Sequence, residues 1–299
     1  MNETLLAMMF ECTVSCPQLY TESKYTDSLH FVAQVPAGGY ASYTLSFDPL
    51  HNSSTTHYPV ISPLSHTASI SNGHLTLDFS SESGLLTRVT TSGGTEIAVQ
   101  QNYWNYLDPQ GGAYCLVEQQ KAVQAPQVGS SICHICCLCD GARSLPAAHS
   151  LIQPMHTAAV VGPLMSLVWQ TWASGNGLHQ RYRISPASPA VEVYHASGTL
   201  PSSRELISRI STDLLTNSRL HTDSTGFYEL KERPLNLTGP ISQNYHALVQ
   251  TAALMEKKGP SSREMAVLTR RTMGVASLAD GELEYVEHAS ADCHLARLI

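Results

Sequence analysis

The sequence predicts an all-β protein whose bulk is a β-sandwich. Three observations carry this. Polar and apolar residues alternate with a period of two in several separate stretches, which gathers apolar side chains on one face of a strand. Hydrophobic residues make up 42% of the 299 and charged residues 14%, a balance that fits a folded β-rich domain and not a disordered chain. Short turn signals (Ser81-Glu82-Ser83-Gly84, Ser92-Gly93-Gly94 and Ala279-Asp280-Gly281) punctuate the alternating runs.

The elements follow in chain order. A short helix near the N-terminus is the one helical alternative. ASYTLSF at 41–47 alternates and reads as a strand. Residues 51–65 are rich in Ser, Thr, His and Pro and read as a linker. They divide the chain into a unit at 1–50 and a large unit at 66–299. HLTLDF at 74–79 places Leu75, Leu77 and Phe79 on one face, and LLTRVTT follows its turn as the next strand of a meander. Residues 118–155 have no period and read as an irregular insertion, largely outside the sandwich. RYRI at 181–184 and VEVYHAS at 191–197 are strands joined by SPASP. ELISRIST at 205–212 turns Leu206, Ser208 and Ile210 to one side. MAVLTRR at 265–271 and ELEYVEH at 282–288 complete the series.

Composition also excludes some functions. A net charge of −7 without a basic cluster argues against a nucleic-acid partner. No apolar run approaches the roughly 20 residues of a membrane helix, and no signal peptide is visible. Three glycosylation sequons occur, at Asn2, Asn52 and Asn236; if used, they place the chain in a secretory lumen. Cys133, Cys136, Cys137 and Cys139 cluster with His134 in CHICCLCD. Such residues can bind zinc, but no second CxxC pair accompanies them, so the expectation is no metal site.

The candidate acids are few. Asp223 lies in HTDSTGF, where Asp accepts backbone N–H groups two residues on and Gly226 supplies positive φ, so Asp223 is read as shaping a turn. Glu282 and Glu284 share one face of a strand at roughly 7 Å, within the range of a glycosidase pair, yet read more simply as the solvent face of that strand. There is no GxSxG elbow, HExxH or P-loop.

Several stretches, taken in order, resemble the C-terminal half of a glycoside hydrolase family 38 α-mannosidase. LHFVAQVPAGGYASYTL at 29–45 is similar to the family's "P-a-l-G-y-x-t-Y" strand, which ends a small β domain. NGHLTLDFSSESGLLTRV at 72–89 and GGAYCL at 111–116 resemble the start of the large β domain and its "S-G-A-Y-l-F" segment. RELISRISTDLLTNSRLHTDSTGF at 204–227 resembles the run leading to "TD-x-N-G". ISQNYHALVQTAALM at 241–255 resembles the "N-Y/F-Y-P" segment, and VLTRRTMGVASLADGELEYVEH at 267–288 the "G-v-S-S-L" run that ends in "R-R". The later stretches look closer to the Golgi α-mannosidase II branch.

The resemblance implies a large twisted, galactose-mutarotase-like β-sandwich, preceded by the remnant of a small β domain. It implies α-mannosides of glycoprotein glycans as substrates and a Golgi or lysosomal lumen as compartment. Zinc and the catalytic carboxylates of the family belong to an N-terminal α/β domain, so no catalytic residue and no cofactor is expected in this chain, and a separate catalytic domain is a possible partner. The resemblance carries over at most a substrate contact from Asn244, Tyr245 and His246, where His246 replaces the family's second aromatic and Ala247 its Pro. The "R-R" position reads His288-Ala289, and Thr225 stands where the family prefers Asn. A stand-alone carbohydrate-binding or scaffolding β domain is the alternative.

Overall fold

A computed structural model describes residues 6–13, 28–35, 39–44, 68–107, 123–124, 154, 156–172, 178–197, 204–223, 229–256, 262–287 and 294–298. Its strands are β1 (Leu6–Thr13), β2 (Ser28–Val35), β3 (Ala68–Ser71), β4 (Leu75–Phe79), β5 (Leu86–Thr91), β6 (Glu96–Leu107) and β7 (Val123–Gln124). They continue as β8 (His156–Val161), β9 (Ser166–Thr171), β10 (His179–Ile184), β11 (Val191–Ala196), β12 (Arg204–Thr212), β13 (Arg219–Asp223) and β14 (Leu230–Pro234). After a 3-10 turn at Ile241–Asn244 come β15 (His246–Leu248), β16 (Thr251–Met255), β17 (Glu264–Thr269), β18 (Met273–Ala276), β19 (Glu282–Glu287) and β20 (His294–Leu298). That turn is the one helical element among the described residues.

β1 and β2 pair as an antiparallel two-stranded sheet. The first large sheet runs β14-β13-β16-β17-β20-β11-β10-β9-β8. The second runs β15-β18-β19-β12-β6-β5-β4-β3, with β7 beside β6. One core lies between the two large sheets. Leu75, Leu77 and Phe79 of β4 and Ile210 of β12 meet Tyr182 and Ile184 of β10, Val193 of β11 and Val267 of β17. Phe79 and Tyr182 stand edge to face across the gap, ring centres 5.2 Å apart. Burying each such large side chain contributes about 1.5–3 kcal/mol, so the alternating pattern of β4 and β12 dictates which faces turn inward.

Two glycines permit turns that another residue would strain. Gly84 (φ +68°) follows β4, and a Cβ there would stand 2.2 Å from Thr157 Oγ1. Gly281 (φ +66°) closes the turn before β19, and a Cβ there would meet Leu214 O at 2.6 Å and Thr212 O at 2.7 Å.

The alternation at 74–79, 181–184, 191–197, 205–212, 265–271 and 282–288 corresponds to β4, β10, β11, β12, β17 and β19. Other expectations need correction. Residues 41–44 form no strand: alternation needs an apolar surface to settle on, and Tyr40 and Tyr43 here remain 90% and 52% exposed. Near the N-terminus the described residues Leu6–Thr13 form strand β1 and not a helix, because their register with β2 satisfies their backbone. The linker 51–65 lies outside the described residues, as does most of 118–155 including Cys133–Cys139. Within that insertion, Val123 and Gln124 pair with Asn105 and Trp104 of β6.

Candidate functional site

Strand periodicity gives β6, β12 and β19 a second face, turned away from the main core. Arg209 of β12 lies in register with Glu284 of β19 and Asn102 of β6. Its Nε and Nη2 donate to Glu284 Oε2 at 2.7 and 2.5 Å. Its guanidinium also lies 4.3 Å from the Trp104 ring centre, within cation–π range. The other carboxylate oxygen, Glu284 Oε1, accepts the hydroxyls of Tyr106 at 2.8 Å and Tyr245 at 2.5 Å. Glu284 is fully buried. A buried charge survives only when paired and hydrogen-bonded, and four bonds from three residues satisfy this one.

The surroundings hold the protonation states of this cluster. Burial pushes the Tyr106 and Tyr245 phenols well up, and the Glu284 charge adds to it, so both stay protonated and donate. Burial works against the Arg209 charge, but the attraction of Glu284 and Glu282 outweighs it and raises its pKa. Burial likewise raises Glu282, opposed by Arg209 at 3.3 Å. The expectation that Glu282 and Glu284 form a solvent face is therefore corrected. The tyrosines and Arg209 cover that face, and both carboxylates answer to one guanidinium.

The three residues expected at a sugar rim take three different positions. Asn244 ends the 3-10 turn, and its side chain clamps the backbone of Asn236: Oδ1 accepts Asn236 N–H at 2.7 Å, and Nδ2 donates to Asn236 O at 3.1 Å. Tyr245 turns inward to Glu284 and stands edge-on to Tyr106, ring centres 6.4 Å apart. His246 begins β15 opposite Val275 and is partly exposed. Burial, then the positive charge of Arg233, hold its imidazole below the usual histidine range. Of the three, only the His246 ring has no hydrogen bond to another described residue.

A second constellation, which spacing alone did not reveal, lies inside the sandwich. From the second sheet come Gln101, Tyr103, Ser208, Tyr285 and Glu287; from the first come Gln180, Tyr182 and His195. The Tyr103 hydroxyl donates to Gln180 Oε1 at 2.5 Å and its oxygen pairs with His195 Nδ1, which supplies the proton of that bond. Tyr285 O–H lies 3.0 Å from His195 Nε2, with Glu287 Oε1 at 3.7 Å. Gln101 donates to Ser208 Oγ at 2.7 Å and accepts from Tyr182 at 3.0 Å. Its one visible sign in the sequence was Ser208, placed inward between Leu206 and Ile210. Burial first, then the Glu287 charge, push the Tyr103 and Tyr285 phenols well above their ordinary range. These groups tie the sheets together by hydrogen bonds in a direction where dispersion alone sets no register.

Asp223 has a structural role among the described residues, and the turn it was read to shape lies outside them. Residues 224–228 lie outside the described residues. Its carboxylate accepts the backbone N–H groups of Val249 (3.0 Å), Gln250 (2.7 Å) and Thr251 (3.1 Å). There the chain leaves β15 in the second sheet for β16 in the first. Among the described residues no group of three His, Cys, Asp or Glu side chains is placed to hold a metal ion, so these residues do not fit a zinc site. No helix among them is long and apolar enough to cross a membrane.

Comparison with known proteins places this architecture. The profile of the Glycosyl hydrolases family 38 C-terminal domain matches residues 70–286. A probable alpha-mannosidase of Arabidopsis thaliana is 28% identical over 287 residues, 87% of this chain and 26% of its own length. The lysosomal alpha-mannosidase of Mus musculus is 25% identical over 292 residues, 92% of this chain and 26% of its own. The chain thus spans about a quarter of the length of these relatives. A crystal structure of a glycosyl hydrolase family 38 protein from Enterococcus faecalis shares the fold at a TM-score of 0.50 and 8% identity, over 99% of this chain and 37% of that one. With most of its length matched by one family profile, the chain belongs to glycosyl hydrolase family 38, and residues 70–286 are its C-terminal domain.

Proposed function

We propose that this chain is the C-terminal part of an α-mannosidase-like glycoside hydrolase acting on α-mannosides of glycoprotein glycans. The family match across the sandwich carries the reading. In it, a separate catalytic domain supplies the nucleophile, the acid/base and zinc, and this chain contributes a rim. His246, with its uncommitted ring, is the residue of the Asn244–His246 segment that meets sugar; Asn244 and Tyr245 hold the segment in place. The compartment is a Golgi or lysosomal lumen, in keeping with the name of the mouse relative.

The chemistry supports assigning no catalysis to these acids. A retaining glycosidase needs a free carboxylate facing a general acid across an open cleft. Glu284 is buried with both oxygens bonded, and both Asp223 oxygens hold backbone amides. The purified chain is expected to leave an aryl α-mannoside intact with or without added zinc, while a mannose titration shifts the His246 imidazole resonances weakly. Zinc-dependent turnover that vanishes on substituting a carboxylate of this chain would overturn the reading.

One feature favours the second reading, a non-catalytic carbohydrate-binding domain. Beside β5 and β6, a cleft of about 450 Å³ is lined by the polar Ser83, Thr87, Gln100, Thr212 and Asp213 and by the apolar Leu85 and Leu86. Hydroxyl and amide groups mixed with apolar side chains suit a monosaccharide. Mannose-induced shifts confined to this cleft, with His246 unmoved, would favour it.

A further inference from the structure

Asn236 lies in the loop after β14, in the sequence Asn236-Leu237-Thr238-Gly239. Asn236, Leu237 and Thr238 are all exposed, and Leu237 is 85% exposed. Asn236 Oδ1 accepts the backbone N–H of Thr238 at 3.0 Å and the Thr238 hydroxyl at 2.8 Å. This Asx-type turn fixes amide and hydroxyl side by side on the surface. The amide nitrogen makes one long bond, Nδ2 to Gln243 Oε1 at 3.4 Å. Gly239 makes the approach possible, since a Cβ there would stand 2.1 Å from Gln243 Oε1 and 3.0 Å from Asn236 Nδ2.

We propose that Asn236 is an N-glycosylation site and that its glycan covers Leu237 beside the Asn244–His246 segment. The N-x-Ser/Thr pattern is the acceptor signature, and a surface loop is the context it needs. The transfer takes an oligosaccharide from a lipid-linked diphosphate donor. A bond forms between the anomeric carbon and Asn236 Nδ2. The bond from that carbon to the donor phosphate breaks, the lipid diphosphate leaves with the bonding pair, and Nδ2 gives up one proton. The folded loop accommodates the product, because a substituted Nδ2 keeps one N–H for Gln243. The two bonds from Asn244 to the Asn236 backbone fix the glycan's base against the proposed rim.

The inference rests on the lumenal routing proposed above, and the experiment separates the two. The full chain is expressed behind a cleavable signal peptide in a glycosylating cell, so that entry to the lumen is imposed. Peptide mapping after glycosidase release in heavy-oxygen water is expected to show Asn236 converted to labelled Asp in most molecules. Thr238→Ala and Asn236→Gln each remove one glycan, and Thr238→Ser keeps it. Recovery of the secreted wild-type chain with Asn236 unmodified overturns the site whatever the variants do. Modification under imposed entry, with the protein isolated from its native cells carrying no glycan at Asn236, supports the site and defeats the routing.

Discussion

At the scale of single residues, Asp223 and Glu284 show how burial decides the role of a carboxylate. Asp223 is 6% exposed and accepts three backbone amides at a crossing between the sheets. Asp223→Ala strands those donors, and a charged acceptor lost from buried partners costs about 2–4 kcal/mol. Chemical denaturation should show that loss as a lower midpoint, with mannose binding by the folded protein unchanged; a loss under 1 kcal/mol would contradict the bonding described. The sequence pointed Asp223 at the amides of its own turn, which lies outside the described residues, and gave no sign of Val249–Thr251. Turn chemistry is local, whereas Val249–Thr251 come near only through the pairing of β13 with β16. The reading of Glu284 as solvent-facing erred for a related reason. Alternation tells which residues share a face, and only the tertiary fold brings Tyr106, Arg209 and Tyr245 over it.

At the scale of elements, a strap joins the hairpin β16–β17 to the opposite sheet. Arg263 donates to Glu256 Oε1 at 2.7 Å, to Asp213 Oδ2 at 2.8 Å and to the Glu96 carbonyl at 3.0 Å. The Arg263 hydrogen bonds lower Glu256 from 4.5 to about 2. A depressed carboxylate contributes stability that is complete above its unfolded pKa and is lost as pH falls through the folded one. Glu256 thus supports the fold above pH 4.5, with the support fading toward about pH 2. Glu256→Gln should flatten the acid limb of the stability–pH curve in that window, with little change in its slope above it; an unchanged acid limb would dismiss the strap. Gly281→Ala tests a turn instead. Its positive φ and the carbonyls of Thr212 and Leu214 leave no place for a methyl group, and a loss of about 2 kcal/mol or more is expected in thermal unfolding. The strands legible in advance, such as β4 and β12, are those with one apolar and one polar face. β8 and β9 escaped notice because HTAAVV and SLVWQT do not alternate, and β9 is largely buried on both sides.

At the scale of the whole molecule, the all-β class and the two-layer core followed from pattern, while strand order did not. Alternation names a strand's faces and is silent about its neighbours. β20 makes the point. HLARL at 294–298 lies beyond the matched residues 70–286, yet it occupies the middle of the first sheet between β11 and β17. Ala296 faces Val193 on one side and Thr269 on the other. Ala296→Pro removes a ladder donor in a central strand, where proline is hardly tolerated. Hydrogen exchange should then accelerate at the amides of both β11 and β17; continued protection of the two would show that β20 is dispensable.

The position of β20 also sets a timetable. A ribosome releases β8 to β11 early and β13, β14, β16 and β17 later, so two half-sheets exist before the strand that joins them. Until residues 294–298 emerge, β11 and β17 are both open edges, each a template for pairing with the wrong chain. The first sheet can therefore become continuous only near the close of synthesis of these residues. The hazardous interval for this protein is the wait for its latest described strand.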